Sequence, residues 1–379
     1  MDIKKIVTFS FSGLAAAVLI FICIHYNVAP NHTPALSTVS CSDGKPAHTL
    51  IKDSSDPLLK KLAEYEALCR GEVTNTMMVF TAMPTSEDEA ATLAQNIAGK
   101  LKLLADNGIT PLVAFEPSLT LPTIINDIRD GMYDSILSTY FQQLKSAGIS
   151  EQQMGTWTLF PEANTPTWHN TDPSTFAQNV TKVAKLLKTS FPKAKTTILL
   201  NSHTYPGNDA GWDHGEIKDL TSYVTSIPPN ILDSFGYQGF PSVAAANASN
   251  QYSSLDAKDF LPSNIAKSAA KKLGTKNIWL NTGSFQRIYT DDPAESITTT
   301  PEQRQQTLTS IVTQAKALQA DYTVSVNLFA KDKSTESEHV NWSYWQTGKY
   351  STDPHADALK TFLEQLHERN IELSLYDSM

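Results

Sequence analysis

From about residue 49 the chain alternates between two hydrophobic rhythms. Short, nearly unbroken apolar runs give way to longer stretches whose apolar residues recur every three or four positions. The first rhythm is that of strands buried on both faces, the second that of amphipathic helices. Strands are predicted over 76–83 (TMMVFTAM), 110–116 (TPLVAFE), 156–160, 196–202 (TTILLNS), within 231–240 (ILDSFGYQGF), over 277–280 and over 322–329 (YTVSVNLF). Helices are predicted over 58–69, 86–107, 133–147, 175–190, 264–273, 301–319 and 356–369. Ser86 is placed to cap the second of these, with acids in its first turn.

Regular β-α alternation over about 300 residues predicts a (β/α)8 TIM-type barrel over residues 49–379. Seven strands are apparent, so an eighth is expected ahead of them, within 44–56, where Ala47 to Ile51 offers weak apolar character. An open doubly wound sheet is the competing fold. It lacks the glycine-rich phosphate loop expected after the first strand, which also removes support for a nucleotide role.

The N-terminus is of a different kind. Lys4 and Lys5 precede 6–24, a run without charge and about as long as a bilayer-spanning helix. No small-residue cleavage site follows it. Residues 1–24 are therefore expected to be a signal anchor that leaves the lysines inside and the bulk of the chain extracytoplasmic. The alternative is a cleaved signal and a secreted protein. Residues 25–48, rich in Pro, Ser, Thr and Asn, are expected to form a flexible extracytoplasmic linker.

The formal net charge of -9 provides no basic patch for nucleic acid. Of three cysteines, Cys23 lies in the apolar run, while Cys41 and Cys69 are either a disulfide or two free thiols. No cysteine or histidine cluster implies a metal, and no cofactor is implied. Sequons stand at Asn179, Asn247 and Asn341.

Working residues of such a barrel sit at the C-terminal ends of its strands. There the chain offers Glu116, Glu162 with Asn164, His203 with Tyr205, Tyr237, Asn281 and Asp332. A carboxyl beside aromatic groups can keep a proton for a leaving oxygen. Trp157, Trp168, Trp279 and Trp342 are candidates for stacking on sugar faces, or for core packing.

Several stretches together resemble glycoside hydrolase family 26, the β-mannanase-type barrels. Pro111-Leu-Val-Ala-Phe-Glu116-Pro117, followed by Gly131-Met-Tyr133-Asp134, is similar to that family's Trp-Glu-Pro strand end and Gly-x-Tyr-Asp helix start. Glu162-Ala-Asn164 with Trp168 resembles its acid-bearing Glu-x-Asn. The 231–240 and 278–284 stretches resemble its sixth strand and its seventh, which normally ends Glu-Thr-Gly-Ser. The resemblance implies a polysaccharide or oligosaccharide partner, Glu162 as general acid/base and Asn164 as a substrate-orienting amide. It also implies a nucleophilic Glu where this chain has Asn281. The supporting Tyr aligns with Phe240, and the His before the acid with Pro161. An amide is a poor nucleophile, so retaining hydrolysis with two carboxylates is in question. Three readings follow. In an altered enzyme, Asp332, Asp233 or Glu116 is the second carboxylate, or Asn281 orients a substrate's own acetamido group. In a glycan-binding barrel, tryptophans and tyrosines stack on sugars and Asn164 and Asn281 hydrogen-bond hydroxyls without cleavage; Glu116, Asn164, Trp168, His203, Tyr205, Tyr237 and Trp279 are the substrate-binding candidates. In a scaffold, the cleft is a relic.

Overall fold

The computed structural model describes residues 41, 45–48, 56–118, 121, 123–165, 171–202, 219–243, 253–288, 297–330, 340–341, 343–345 and 349–376. The apolar run 6–24 lies outside them, and among the described residues no helix is long and apolar enough to cross a membrane.

Helices start where the sequence supplies an acceptor for their free amides. In α2 (Glu87–Asp106) the Ser86 hydroxyl accepts from the Glu89 amide, and three acids occupy the positive first turn. In α9 (Pro301–Gln319), Thr300 and Gln303 form a reciprocal capping box. Asp172 and Asp353 cap α5 (Pro173–Ser190) and α10 (Pro354–Glu368), both of which open on proline.

The strands of the main sheet are all parallel. Strand β1 is Thr76–Ala82, β2 Thr110–Glu116 and β3 Thr156–Leu159. The fourth, β4, comprises Lys195–Thr197 and Leu199–Asn201, interrupted at Ile198. The rest are β5 (Phe235–Gln238), β6 (Asn277–Thr282), β7 (Thr323–Phe329) and β8 (Glu372–Tyr376). Neighbours pair in chain order, and β8 pairs with β1 through Met77↔Leu375. The two halves of β4 pair with β3 and β5 respectively, so the sheet returns on itself as an eight-stave barrel.

The closing stave corrects the expectation of an N-terminal strand in 44–56. It lies at the other end of the chain. Its sequence, Glu-Leu-Ser-Leu-Tyr, alternates polar and apolar residues, with Leu373 and Leu375 packed in the layer under the helices. Asn281 consequently stands on the sixth stave from the first, not the seventh.

The N-terminal segment instead straps α1 (Pro57–Cys69). Cys41 and Cys69 are joined by a disulfide. His48 lies 2.5 Å from Glu66 through its ring, and its backbone amide donates to the same carboxylate at 2.9 Å. The chain is therefore tied to the barrel from Cys41, within the stretch read as linker. The disulfide spans 28 residues. Replacing both cysteines by serine is expected to cost about 3–4 kcal/mol, from the entropy restored to the unfolded chain. Chemical denaturation with and without reductant checks this.

Apolar side chains form two layers. Between sheet and helices, Trp157 is fully buried against Phe115, Tyr140 and Phe141, and its indole donates to the Met154 carbonyl at 2.9 Å. Trp157 is thus core rather than a sugar platform. Inside the barrel, Met78, Leu112, Ala114, Leu199 and Trp279 form a separate plug. Asn179 is also buried and donates to the Ile125 carbonyl, which closes its sequon in the folded chain.

Candidate functional site

Alternation along the strands decides which side chains reach the lumen. On β5, Phe235 and Tyr237 face the helices, while Gly236 and Gln238 face inward. On β6, Trp279 and Asn281 share the inward side, the tryptophan deeper.

Above the apolar plug lies a girdle of buried polar side chains. Asn201, Gln238, Asn281, Asn327 and Ser374 are cross-strand partners in register on five successive staves. Their side chains are joined in series. Ser374 Oγ donates to Asn327 Oδ1 at 2.6 Å, and Asn327 Nδ2 to Asn281 Oδ1 at 2.6 Å. Asn281 Nδ2 donates to Gln238 Oε1 at 2.5 Å. Gln238 Nε2 then donates to both Asn201 Oδ1, at 2.7 Å, and the Glu162 carboxylate. Asn201 in turn donates to Thr165 Oγ1 at 2.5 Å.

Glu162 enters this site through an unusual backbone. It has φ 59 and Phe160 has φ 51, both left-handed. Each costs about 1–2 kcal/mol for a residue with a Cβ. The turn is held because the Glu162 amide donates to the Leu199 carbonyl at 2.7 Å and the Glu162 carbonyl accepts from Thr165 at 2.9 Å. Such strain persists where surrounding structure fixes it, and it gathers at functional sites.

Glu116 ends the adjacent stave β2. Burial, reinforced by the charge of Glu162, pushes its carboxyl up to about 8. Two strand-end carboxylates therefore interact, and one retains its proton at neutral pH.

Beside them an arc of rings lines the mouth. Phe329 stacks on Tyr376 at 4.4 Å between centroids, Tyr376 meets Phe80 edge-on at 5.0 Å, and Phe240 meets Phe329 at 5.6 Å. Phe80, Phe329 and Tyr376 are each partly exposed.

Several residues named from sequence have other surroundings. Asn164 is fully buried; its amide donates to the Asn201 carbonyl at 3.0 Å and its oxygen accepts from the Asn201 amide at 2.9 Å, so it clamps backbone. Tyr237 is fully buried on the helix side. Trp279 is 5% exposed and donates to Thr197 Oγ1 at 2.9 Å within the plug. Asp233 lies at the opposite, N-terminal end of the staves, bound to Lys188 and the Thr196 amide. Trp168, His203, Tyr205, Asp332 and Trp342 lie outside the described residues. The structure thus brings together Glu116, Glu162 and Asn281 and adds Gln238, Asn201, Asn327, Ser374 and the aromatic arc. In the sequence each girdle residue is a polar residue following an apolar one, a pattern shared by Ser325, so no local signal singles them out.

No protein-family model matches the chain, and no curated protein matches it in sequence. Solved structures do. The β-glycosidase BGL167 aligns over 82% of this chain and 86% of its own, with 11% identity and a TM-score of 0.54. The family 1 β-glucosidase from Thermotoga maritima aligns over 87% and 94%, with 11% identity and a TM-score of 0.50. A family 26 β-mannanase from Bacteroides ovatus aligns over 83% and 74%, at 7% identity and a TM-score of 0.39, too loose for residue correspondences. At these identities the likeness is one of fold: the chain shares the parallel α/β barrel on which these glycosidases are built.

Proposed function

We propose that this protein acts on polysaccharide or oligosaccharide chains at the outer face of a membrane, with Glu116 and Glu162 as its acid–base pair. The carrying observation is the coupled pair of strand-end carboxylates, in which Glu116 holds its proton to about pH 8. Environments that separate two carboxyls in this way assign the acid and the base. Glu116 gives its proton to the glycosidic oxygen as the bond to the anomeric carbon breaks. Water attacks that carbon and passes a proton to Glu162. The pair resets when the proton returns from Glu162 to Glu116 or exchanges with solvent. The scheme needs no nucleophile at Asn281, and the arc of Phe80, Phe329 and Tyr376 offers apolar ring surface for sugar faces.

The test is release of reducing ends from β-mannan, β-glucan, xylan and amino-sugar polymers by residues 41–379. Release that Glu162→Gln abolishes supports the reading, and no release from any of these polymers counts against it. The pH profile gives a sharper check. kcat/KM is expected to fall above about pH 8 as Glu116 loses its proton, and that limb is expected to vanish in Glu116→Gln. Stability follows the same sign. The raised Glu116 carboxyl contributes fully below its ordinary value of 4.5, and the contribution is lost as pH rises through 8.

A second reading is a glycan-binding barrel without turnover. One observation favours it: both polar atoms of Asn281 are engaged within the girdle, so that stave offers no reactive group. Retention on a polymer without new reducing ends would establish this reading.

The placement outside the membrane is supported by the Cys41–Cys69 disulfide, which suits an oxidising compartment. It is supported also by the uncharged run after Lys4 and Lys5. Protease protection of a C-terminal tag tests it; a tag found in the cytoplasm overturns it.

A further inference from the structure

We propose that the girdle is a polarised hydrogen-bond chain that presents a donor to Glu162, with Gln238 as the positioning residue and Asn281 as the link that fixes the direction. Its meaning for catalysis rests on the reading of Glu162 as a working carboxylate; its geometry does not.

The direction is set from one end. An ionised carboxylate only accepts, so Gln238 must turn its Nε2 toward Glu162. Its Oε1 then faces β6 and requires a donor there. Asn281 supplies one and leaves its own oxygen facing β7, where Asn327 donates. Asn327 in turn leaves its oxygen for Ser374, a hydroxyl that can donate. Every member is in register and nine-tenths or more buried, so no member can turn to water for a substitute partner.

This assigns a reason to the amide at position 281. The site needs a donor toward Gln238 and an acceptor toward Asn327 in one short side chain. An ionised carboxylate there meets the Gln238 oxygen as two facing acceptors. Asn281 is therefore specified by the girdle, and restoring a carboxylate breaks the support of Glu162 instead of restoring a nucleophile.

The partners bonded to Asn281 come from β5 and β7 and are neutral amides, with the Met78 sulfur from β1 against Asn327. On the Glu162 side, Glu116 of β2 is the titratable neighbour among the described residues.

The test is Asn281→Asp, followed by thermal melts of residues 41–379 from pH 4 to pH 8. The protonated form of the new carboxyl has one donor and one acceptor, and so reproduces the amide. The ionised form does not. The gap in Tm to the parent chain is expected to be small at pH 4 and to widen as pH rises through the raised value of the new group. Asn281→Ala is expected to show a gap independent of pH. A second variant, Gln238→Leu, is read by carbon-13 NMR titration of the Glu162 carboxyl, whose proton affinity is expected to rise about tenfold on losing the donor. An Asn281→Asp gap that does not change with pH, or an unchanged Glu162 titration in Gln238→Leu, overturns the proposal. Neither measurement uses a sugar. Failure of the glycan reading therefore leaves these outcomes readable, and the reverse also holds.

Discussion

Glu162→Gln is expected to lower glycan cleavage by a factor of about 10³, within the range for removal of a general acid–base group. The variant is a close test because the fold should not register it. A glutamine at 162 keeps an oxygen for Gln238 Nε2, so the girdle remains joined. The left-handed backbone at 162 carries the same Cβ in both chains. What is removed is the charge. Its removal has a second effect, since Glu162 is part of what raises Glu116. The Glu116 titration is expected to move down from about 8, and any residual activity should lose its alkaline limb at a lower pH. Steady-state rates over pH 5–10, beside a thermal melt, distinguish these effects. Full activity in the variant removes Glu162 from the chemistry, and a collapsed Tm removes the claim that the change is local.

The second large effect is expected from Gly236→Ala. A Cβ built at Gly236 lies 2.4 Å from Trp279 Cζ2 and 2.6 Å from the Ile198 carbonyl oxygen. The indole has little freedom to retreat. It is packed with Met78, Leu112, Ala114 and Leu199, and its nitrogen is bonded to Thr197. Overpacking of this kind costs about 1–3 kcal/mol, and the rigid neighbours place this case at the upper end. Asn281 lies two residues beyond Trp279 on the same face of β6, so the shift should also disturb the girdle. Trp279→Phe in the same chain is expected to recover part of the loss, because the smaller ring vacates the volume the methyl needs. Denaturant melts of both single variants and the double variant measure that coupling. Additive losses would show that the clash is not what Gly236 avoids.

The barrel was legible because short apolar runs, such as 77–80, 111–115 and 278–280, recur between helical stretches, as in strands covered on both faces. Strand 110–116 and helix 301–319 lie where periodicity puts them. The eighth stave has no such run, because it is short and broken by polar residues. Glu372 and Ser374 interrupt a five-residue run, and a run that short gives periodicity little to read. Within the site, strand ends were a reliable guide to Glu116 and Glu162. They were a poor guide to Tyr237 and Trp279, where strand parity and depth decide the surroundings. A buried amide such as Gln238 or Asn327 has no local signature; its role comes from partners 37 to 76 residues away for Gln238 and 46 to 249 for Asn327.

A barrel whose closing stave follows its first by about 300 residues cannot shut until that stave has been made. Thr74 bonds to the Leu373 carbonyl across 299 residues, and Met77 pairs with Leu375 beside it. Until those C-terminal residues emerge, β1 and β7 are both open edges, ready to pair with another chain. Closure would wait for β8, as one step of high contact order. Ribosome-stalled or C-terminally clipped chains should therefore accumulate as open sheets that depend on chaperones, rather than as smaller folded domains.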